Sequence, residues 1–521
     1  MQPQEKEADL EYLFAPVPKD VLDRLSKEDT RTLIEGLEST VKQLRKLNEK
    51  LKTEIASKQV QGILFEEKYN LLRSEMFGRS SERRKPSQNL IDAHEIEQNK
   101  KPIRDRVQLP SIRYPNLPVQ IVDVVFDEIP ACTGCGEKLH DSGMVEESER
   151  LSVIPKKYFI ERYRRHVYDC SCCHGELKTA PSPPRIKPGS SYSDEVMVDV
   201  VVAKYDHLIP IERYARMAED LGAEIPSQSL IETTHYTADF LKPIYEEIKK
   251  EVQSATVLHA DETPHRMLEG DKKKTWYMWG FSTKRSSYFE LHNTRSGNVA
   301  SRFLSESACT YLVSDVYSGY KKAVSDANVF RKSEQREPIQ SLYCNAHARR
   351  KFSEAEENFK DEAEYFLSRY QEVYLKEKVS KDRPPDARKR VREEIEVILY
   401  DMRDHAIESI HKFPEKSSIG KALSYFLKNF AELSFFTSNE QLPLDNNHQE
   451  RQMRNPVIGR KTWYGTHSKR GAKTAAILFT IIESCKLNKI TAQDYLSAQI
   501  QNIHTNQAVQ TPAQYAASQL N

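Results

Sequence analysis

This sequence lacks the features that mark a membrane or secreted protein. It contains no uninterrupted apolar run of the roughly 18 residues that a membrane-spanning helix needs. Its first ten residues, MQPQEKEADL, are polar and acidic, without the apolar segment of a secretory signal. We therefore expect a cytoplasmic protein with no membrane partner.

An excess of charge of one sign is also absent. Charged residues make up 30% of the 521 residues, yet the net charge is only +1. Binding to nucleic acid would depend on local clusters of Lys and Arg, because the chain as a whole is not basic. The length is sufficient for roughly three or four domains, each with a buried core.

A heptad pattern predicts a long helix near the N-terminus. Ser26 begins a sequence typical of a helix N-cap. The apolar seam has one polar member, Asn48, at a position where a buried amide fixes register and favours a parallel dimer. The alternative is a single amphipathic helix packed on its own domain. The seam consists of Ile34, Leu37, Val41, Leu44, Asn48, Leu51 and Ile55.

A polar stretch after this helix is typical of a linker. It begins with MFGRSSERRK at residues 76–85 and continues to about residue 118. Arg79, Arg83 and Arg84 are predicted to contact DNA phosphates, which would release condensed counterions. A solvated hinge is the alternative interpretation.

Cysteines are clustered in a pattern that predicts zinc. The chain has eight cysteines, and in a reducing compartment disulfides are not expected. Two C-x-x-C turns together supply the four thiolates of tetrahedral zinc. The predicted ligands are Cys132, Cys135, Cys170 and Cys173, with Cys172 as a spare, and the choice of three or four ligands stays open. Buried core cysteines are one alternative, and a thioredoxin-like redox pair is a weaker one because no βαβ context surrounds the motifs.

Two further segments have patterns compatible with DNA binding. Between the cysteine motifs, Arg162, Arg164 and Arg165 alternate with aromatic residues, which predicts a strand with one basic face. A charged face in contact with solvent is the alternative. Farther on, helical segments separated by a turn at Gly222 are compatible with helix-turn-helix, and equally with an ordinary helical subdomain. The last of these helices is expected from Ser227 to Glu251.

The central region predicts an α/β core that carries acids at strand ends. The order is strand, strand, strand, helix, strand, helix, strand, helix, which is the order of a ribonuclease H-like fold. Asp261 ends the first strand and Asp315 the fourth, whereas Glu450 follows a charged helical insertion at residues 352–439. Converging carboxylates raise one another's pKa unless a cation lies between them. Convergence therefore implies a hard divalent cation such as Mg²⁺.

Six sequence features, in order, carry a family resemblance: MFGRSSER (76–83), the cysteine motifs, LHADETP (258–264), LVSDVYSGY (312–320), CNAHARRKF (344–352) and DNNHQERQMRNPVIGRKTW (445–463). Together they resemble bacterial transposases of the insertion-sequence-66 family. The resemblance implies a DDE transposase with Asp261, Asp315 and Glu450 as catalytic residues that hold two Mg²⁺ ions, or Mn²⁺ in their place. Asp261 is preferred to Glu262 because adjacent strand residues point to opposite faces and because the resemblance selects Asp261. The family usually has Gly after its second Asp, whereas Val316 stands here.

The chemistry of such a site predicts individual roles. Asp261 would bridge both cations, Asp315 would hold one, and Glu450 would complete the other. Asn446 and Asn447 are expected to cap the helix that presents Glu450.

Residues around these acids are assigned to DNA or to support. Trp463 is a candidate for stacking on an unpaired base, with core packing as the alternative. The histidines His259, His347 and His448 are treated as supporting residues because imidazole is not the preferred donor for Mg²⁺. Contacts with the phosphates of transposon ends are predicted for Arg451, Arg454, Arg460 and Lys461.

The sequence thus predicts a multidomain α+β transposase that binds terminal inverted repeats, cleaves them and transfers their 3′ ends to target DNA. A zinc-dependent DNA-binding regulator with an inert ribonuclease H-like core is the alternative. The expected partners are transposon-end and target DNA, a second copy or more of the chain, and accessory proteins of the same element, in the nucleoid.

The predicted segments are an N-terminal coiled-coil helix (1–76), a basic linker (77–120), a zinc-ribbon-like module with structural Zn²⁺ (121–180), a helical, helix-turn-helix-like DNA-binding domain (190–253), a first part of the catalytic core (254–351), a helical insertion (352–440), a second part of the core (441–490) and a C-terminal tail (491–521) that frays after Asn502.

Overall fold

The computed structural model describes residues 26–77, 109–141, 145, 147–169, 172, 177–268 and 275–519. The chain divides into two compact units. The first unit is formed by Met1–Gly78, Pro184–Pro210 and Ile231–Asn521, and the second by Arg79–Pro183 and Ile211–Leu230. The predicted catalytic acids belong to the first unit and the cysteine motifs to the second.

The strands and α-helices are numbered in chain order. The strands are β1 (Val167–Asp169), β2 (Leu177–Thr179), β3 (Val257–Arg266), β4 (Thr275–Ser282), β5 (Ser287–His292), β6 (Tyr311–Ser314) and β7 (Gln340–Tyr343). The helices are α1 (Lys27–Phe77), α2 (Pro110–Arg113), α3 (Asp194–Val201), α4 (Ile211–Glu219), α5 (Ser227–Phe240), α6 (Lys242–Gln253), α7 (Asn298–Glu306), α8 (Ser318–Ser333), α9 (Asn345–Ala355), α10 (Lys360–Ser380), α11 (Pro385–Ser409), α12 (Ser418–Lys428), α13 (Phe430–Ser434), α14 (Asn447–Trp463), α15 (Lys469–Leu487), α16 (Ala492–His504) and α17 (Pro512–Ser518).

A mixed sheet in the first unit has the strand order β5-β4-β3-β6-β7. β3, β4 and β5 form an antiparallel meander, and β6 and β7 add in parallel on the other side of β3. The aromatic, β-rich sequences of β4 and β5 fit this position, because Trp279, Phe281 and Phe289 are fully buried. The predicted meander and the order of strands and helices are present in the structure.

The core of the sheet is closed by an apolar helix. In α15 the residues from Ala472 to Cys485 are buried almost without interruption, as expected for a helix that is apolar all round. Ser468 caps α15 by accepting a hydrogen bond from the Gly471 amide. Side chains from β3, β4, β5 and several helices join this first core.

The predicted insertion is helical and packs in a second core. Phe352, Phe366 and Phe426 pack together there, with the rings of Phe352 and Phe366 stacked at a centroid distance of 4.1 Å. This second core also contains Val313 of β6 and Leu342 of β7. The insertion is therefore packed on the parallel edge of the sheet.

The long helix α1 exposes the predicted seam. Leu37 and Leu44 are 56% and 59% exposed. Near its other end, α1 contacts the insertion through Glu67, whose carboxylate accepts from the Ser418 amide at 2.6 Å. Packing of the seam on the chain's own domain is therefore not seen within the described residues.

Three local expectations are wrong. The helix expected from Ser227 to Glu251 is two helices, because Pro243 is suited to the first turn of α6 and not to a helix interior. The second wrong expectation is that the chain frays after Asn502, because α16 continues to His504 and α17 extends from Pro512 to Ser518. There α17 has a capping box between Thr511 and Gln514.

The third wrong expectation is the strand predicted for the basic segment between the cysteine motifs. Arg162, Arg164 and Arg165 are exposed but lie outside any strand, and β1 begins only at Val167. The alternating pattern was created by residues that do not pair with a neighbouring strand in the described part of this unit.

Candidate active site

The first two acids lie next to each other where the pairing of two neighbouring parallel strands ends. The register pairs His259 of β3 with Val313 of β6, and continuing it by two residues brings Asp261 beside Asp315. Asp315 follows the last residue of β6, Ser314. Asp261 is not at the end of its strand as expected, because pairing with β4 extends β3 to Arg266. It lies instead just beyond the end of the parallel pairing with β6.

The Asp315 turn accommodates Val316 without backbone strain. Asp315 Oδ1 accepts a hydrogen bond from the Tyr317 amide at 3.0 Å, which closes a local turn. Val316 is not among the residues with positive φ. The glycine usual in the family at this position is therefore not required for the conformation seen here.

Glu450 reaches the same region on the first turn of α14. Asn446, directly before the helix, donates to the Ala260 carbonyl at 2.8 Å and its Oδ1 lies 3.0 Å from His259 Nδ1. These bonds attach α14 to β3 next to Asp261. Contrary to the expectation from the sequence, the side chain of Asn446 does not cap the helix. Asp445 instead accepts the Asn447 amide at 3.0 Å.

The acids perturb one another electrostatically. Burial and, to a smaller extent, the neighbouring carboxylates of Glu262, Asp315 and Glu450 together raise the pKa of Asp261 to about 8. Glu450 Oε1 is buried and has no hydrogen-bond partner among the described residues. A buried, uncompensated group of oxygen donors fits a hard divalent cation.

Glu262 has a partner that the sequence did not reveal. Its side chain is only 2% exposed, and Arg295 Nη2 lies 2.7 Å from its Oε1. The Arg295 guanidinium also lies over the Tyr317 ring, 4.1 Å from the centroid. Burial raises the pKa of Glu262, while Arg295 acts in the opposite direction. Arg295 lies between β5 and α7, where no periodic pattern indicated a role.

The basic residues of α14 are split between two faces. Arg451, Arg454 and Lys461 are exposed and, by helical periodicity, share one face. Arg460 points to another, where its Nη1 lies 3.5 Å from Thr263 Oγ1 and burial lowers its pKa. The four residues thus do not form a single patch.

Trp463, at the end of α14, packs within the protein. It lies edge-on to Tyr205, with 6.2 Å between the ring centroids, and Lys204 Nζ is 4.5 Å from its ring. This favours the core-packing alternative for Trp463.

The first cysteine motif forms a tight turn in the second unit. The Ala131–Lys138 bridge encloses it, and the Gly136 amide donates to the Cys132 carbonyl at 2.9 Å. The amides of Gly134 and Cys135 lower the pKa of the Cys132 thiol, as suits a thiolate ligand. Such a turn presents sulfur to a metal.

The second motif lies in the sequence between β1 and β2, which pair antiparallel with Asp169 opposite Leu177. Cys170 and Cys173 lie outside the described residues, and Cys172 is exposed. Arg79, Arg83 and Arg84 also lie outside them.

Comparisons with known proteins identify two matching families. A model of the transposase IS66 family matches residues 189–474, and a model of the zinc-finger binding domain of transposase IS66 matches residues 130–174. The uncharacterized proteins y4hP and y4jD of Sinorhizobium fredii are each 25% identical to this chain. The alignment with y4hP covers 72% of this chain and 70% of y4hP, and that with y4jD covers 73% and 76%. In the described part of the chain, no helix has the length and apolarity needed to cross a membrane.

Proposed function

The chain belongs to the transposase IS66 family, and we propose that it cleaves transposon ends and transfers their 3′ ends to target DNA. The observation that carries this proposal is the proximity of Asp315 and Glu450 to Asp261, whose pKa both carboxylates raise. The antiparallel meander followed by two parallel strands supports a ribonuclease H-like core. The match to the zinc-finger model supports DNA binding and structural Zn²⁺.

The three carboxylates are proposed to hold two Mg²⁺ or Mn²⁺ ions. Asp261 would contribute to both positions, Asp315 to one and Glu450 to the other. Such ions activate a water or 3′-hydroxyl and stabilise the leaving oxygen of a phosphodiester. The hydrogen bond from the Glu262 amide to Asp261 Oδ1, at 2.9 Å, orients the Asp261 carboxylate for this task.

DNA is proposed to run along the exposed basic face of α14. Arg451, Arg454 and Lys461 would pair with backbone phosphates, which position DNA without reading its sequence. Arg460 remains a proposed contact, although its bond to Thr263 gives it a different direction. Arg162, Arg164 and Arg165 are exposed in the zinc-finger region and are proposed to hold the duplex in the same non-specific manner.

The active assembly is proposed to contain at least two copies of the chain. The exposed seam of α1 supports this, since an apolar stripe with heptad spacing is buried in parallel coiled coils. Accessory proteins of the same element are further proposed partners, and the nucleoid is the proposed location.

The test is a cleavage and strand-transfer assay with full-length protein and DNA that carries the ends of its own element. We expect activity with Mg²⁺ or Mn²⁺, and a loss of more than about 100-fold in Asp261→Asn and Glu450→Gln. The matched control is Asp326→Asn, which changes an exposed acid on α8 and should cleave like the wild type.

Binding to the same ends, measured in parallel, separates the two candidate functions. End binding by both active-site variants, together with lost cleavage, supports the transposase. If the wild type binds ends but cleaves them with neither cation, the DNA-binding regulator is the correct function. If the two variants cleave as fast as the wild type, the catalytic assignment is wrong.

A further inference from the structure

Three histidines lie near the acids, and two of them already have partners. His259 Nδ1 lies 3.0 Å from Asn446 Oδ1, and His448 Nε2 lies 2.7 Å from the Thr283 carbonyl. Their rings also pack on each other at a centroid distance of 5.1 Å. Both histidines therefore serve to attach α14 to the sheet.

His347 differs from these two. Its Nδ1 lies 3.7 Å from Glu450 Oε1, too far for a hydrogen bond. Both atoms are buried, and neither has a hydrogen-bond partner among the described residues. Each of the two side chains is 29% exposed, so that solvent contacts their other atoms. Two potential metal-ligand atoms without hydrogen-bond partners among the described residues thus lie 3.7 Å apart.

The separation suits two ligands of one ion. Ligand atoms that each lie about 2.1 Å from a cation are about 3–4 Å apart. Cys344 Sγ also lies within 4.8 Å of the other two ligand atoms, but it accepts the Asn446 amide at 3.1 Å. We therefore consider Cys344 a support of this group and not a third ligand.

The surrounding structure fixes the two side chains relative to each other. His347 lies in the first turn of α9, and the side chain of Asn345 in the same turn donates to the Leu444 carbonyl at 3.1 Å. From the other direction, the bond between the Asn446 amide and Cys344 Sγ ties the start of α14 to the start of α9. The ends of the insertion are thereby locked together beside the acids, which is the arrangement that a preorganised ligand pair requires.

We propose that His347 Nδ1 is a nitrogen ligand of the cation that Glu450 holds. This inference rests on the proposed function, because it assigns a further ligand to the same metal site. A position with one imidazole and one carboxylate binds a cation of intermediate softness better than an all-oxygen position does. The site therefore prefers Mn²⁺ to Mg²⁺, and the preference depends on His347.

Pulsed electron paramagnetic resonance of full-length protein loaded with Mn²⁺ tests this directly. The wild type should show spin-echo modulation from a coordinated nitrogen, and His347→Gln should lose it. In calorimetric titrations, His347→Gln should bind Mn²⁺ about tenfold more weakly, while its affinity for Mg²⁺ should change by less than about threefold. If His347→Gln does not fold, as judged by circular dichroism, His347→Asn serves for the same measurements.

A second histidine–glutamate pair provides the matched control. His405 Nε2 lies 3.0 Å from Glu362 Oε1 in the insertion, and His405 has an exposure similar to that of His347. The variant His405→Gln should keep the nitrogen modulation and the affinity for Mn²⁺.

The outcomes separate this inference from the proposed function. Nitrogen modulation that is absent from the wild type or retained in His347→Gln overturns the inference, even if Mn²⁺ binds in an Asp261-dependent manner. If Mn²⁺ binding is absent, or is the same in Asp261→Asn as in the wild type, the carboxylate site itself is wrong and the proposed function fails with it.

Discussion

Asp261 is held in a position that disfavours its ionised form. Its carboxyl group is largely buried and lies close to three other acids, so that its pKa is raised to about 8. A folded state that resists ionisation of this group is less stable at neutral pH than one with a neutral group of the same shape. In the absence of a cation, the active-site acids should therefore reduce the stability of the fold.

Asp261→Asn should stabilise the protein when divalent cations are removed. Asn retains an oxygen to accept the Glu262 amide but carries no charge, and we expect the free energy of unfolding to rise by about 1–3 kcal/mol. Addition of Mn²⁺ should stabilise the wild type and have little effect on the variant. Denaturant unfolding with EDTA and with Mn²⁺ measures both effects, and Asp326→Asn is the control. Equal stabilisation of wild type and variant by Mn²⁺ would contradict the assignment.

At this scale the sequence revealed some neighbours of the site and not others. Asp261 and Asp315 were predictable as a pair because each follows a short apolar run in the sequence, and neighbouring parallel strands bring such positions together. Glu450 was named with them as an acid that follows the insertion, but its role as the third catalytic acid came from the resemblance, since no local pattern indicates where the insertion returns. Arg295 and the free Nδ1 of His347 could not be predicted, because their significance lies in contacts made across the chain.

At the scale of elements, the position of α14 decides whether Glu450 reaches the other acids. A pattern of Asn before a helix indicates a cap, but the cap interpretation considers only neighbours in sequence. In the structure Asn446 is 1% exposed and bonds to β3 across 186 residues of chain. The buried Asn446 side chain therefore bonds to a tertiary partner that an isolated helix does not have.

Replacement of Asn446 by Ala should separate α14 from β3. Loss of its bonds to Ala260 and His259 leaves buried groups unsatisfied, which should lower the free energy of unfolding by about 1–3 kcal/mol. End cleavage should fall because Glu450 is no longer held beside Asp261. The control is the neighbouring Asn447→Ala, whose side chain bonds locally to Asp445, and which should cost less than about 0.5 kcal/mol. Similar losses in both variants would show that Asn446 has no special role.

The two cysteine motifs are the other part of the chain whose chemistry can be tested. Purified wild type should contain about one zinc ion per chain. Cys132→Ser should lose the zinc, because a serine hydroxyl does not replace the thiolate that the neighbouring amides favour at Cys132. Cys172→Ser should retain the metal if Cys173 completes the second turn. Elemental analysis decides between these cases, and equal loss from both variants would show that Cys172 belongs to the ligand set.

At the scale of the whole molecule, α1 is the element that the rest of the chain does not explain. The described helix has 51 residues, and its packing within the first unit is seen near Glu67 and Asn70, which bond to the insertion. An apolar seam exposed over several heptads is unfavourable in water. The spacing of the seam could be predicted from the sequence. Only the fold could show whether other parts of the chain cover the seam.

A second copy of the chain is the partner that the seam predicts. The double variant Leu37→Asp/Leu44→Asp places charges at two seam positions, where burial of a carboxylate in a dimer is strongly unfavourable. Ser39→Asp/Lys46→Asp adds the same residues outside the seam and is the matched control. Light scattering during size-exclusion chromatography should give twice the chain mass for the wild type and the control, and a single chain mass for the seam variant. A wild type that is monomeric at all concentrations, or a seam variant that remains dimeric, would show that α1 does not form the interface.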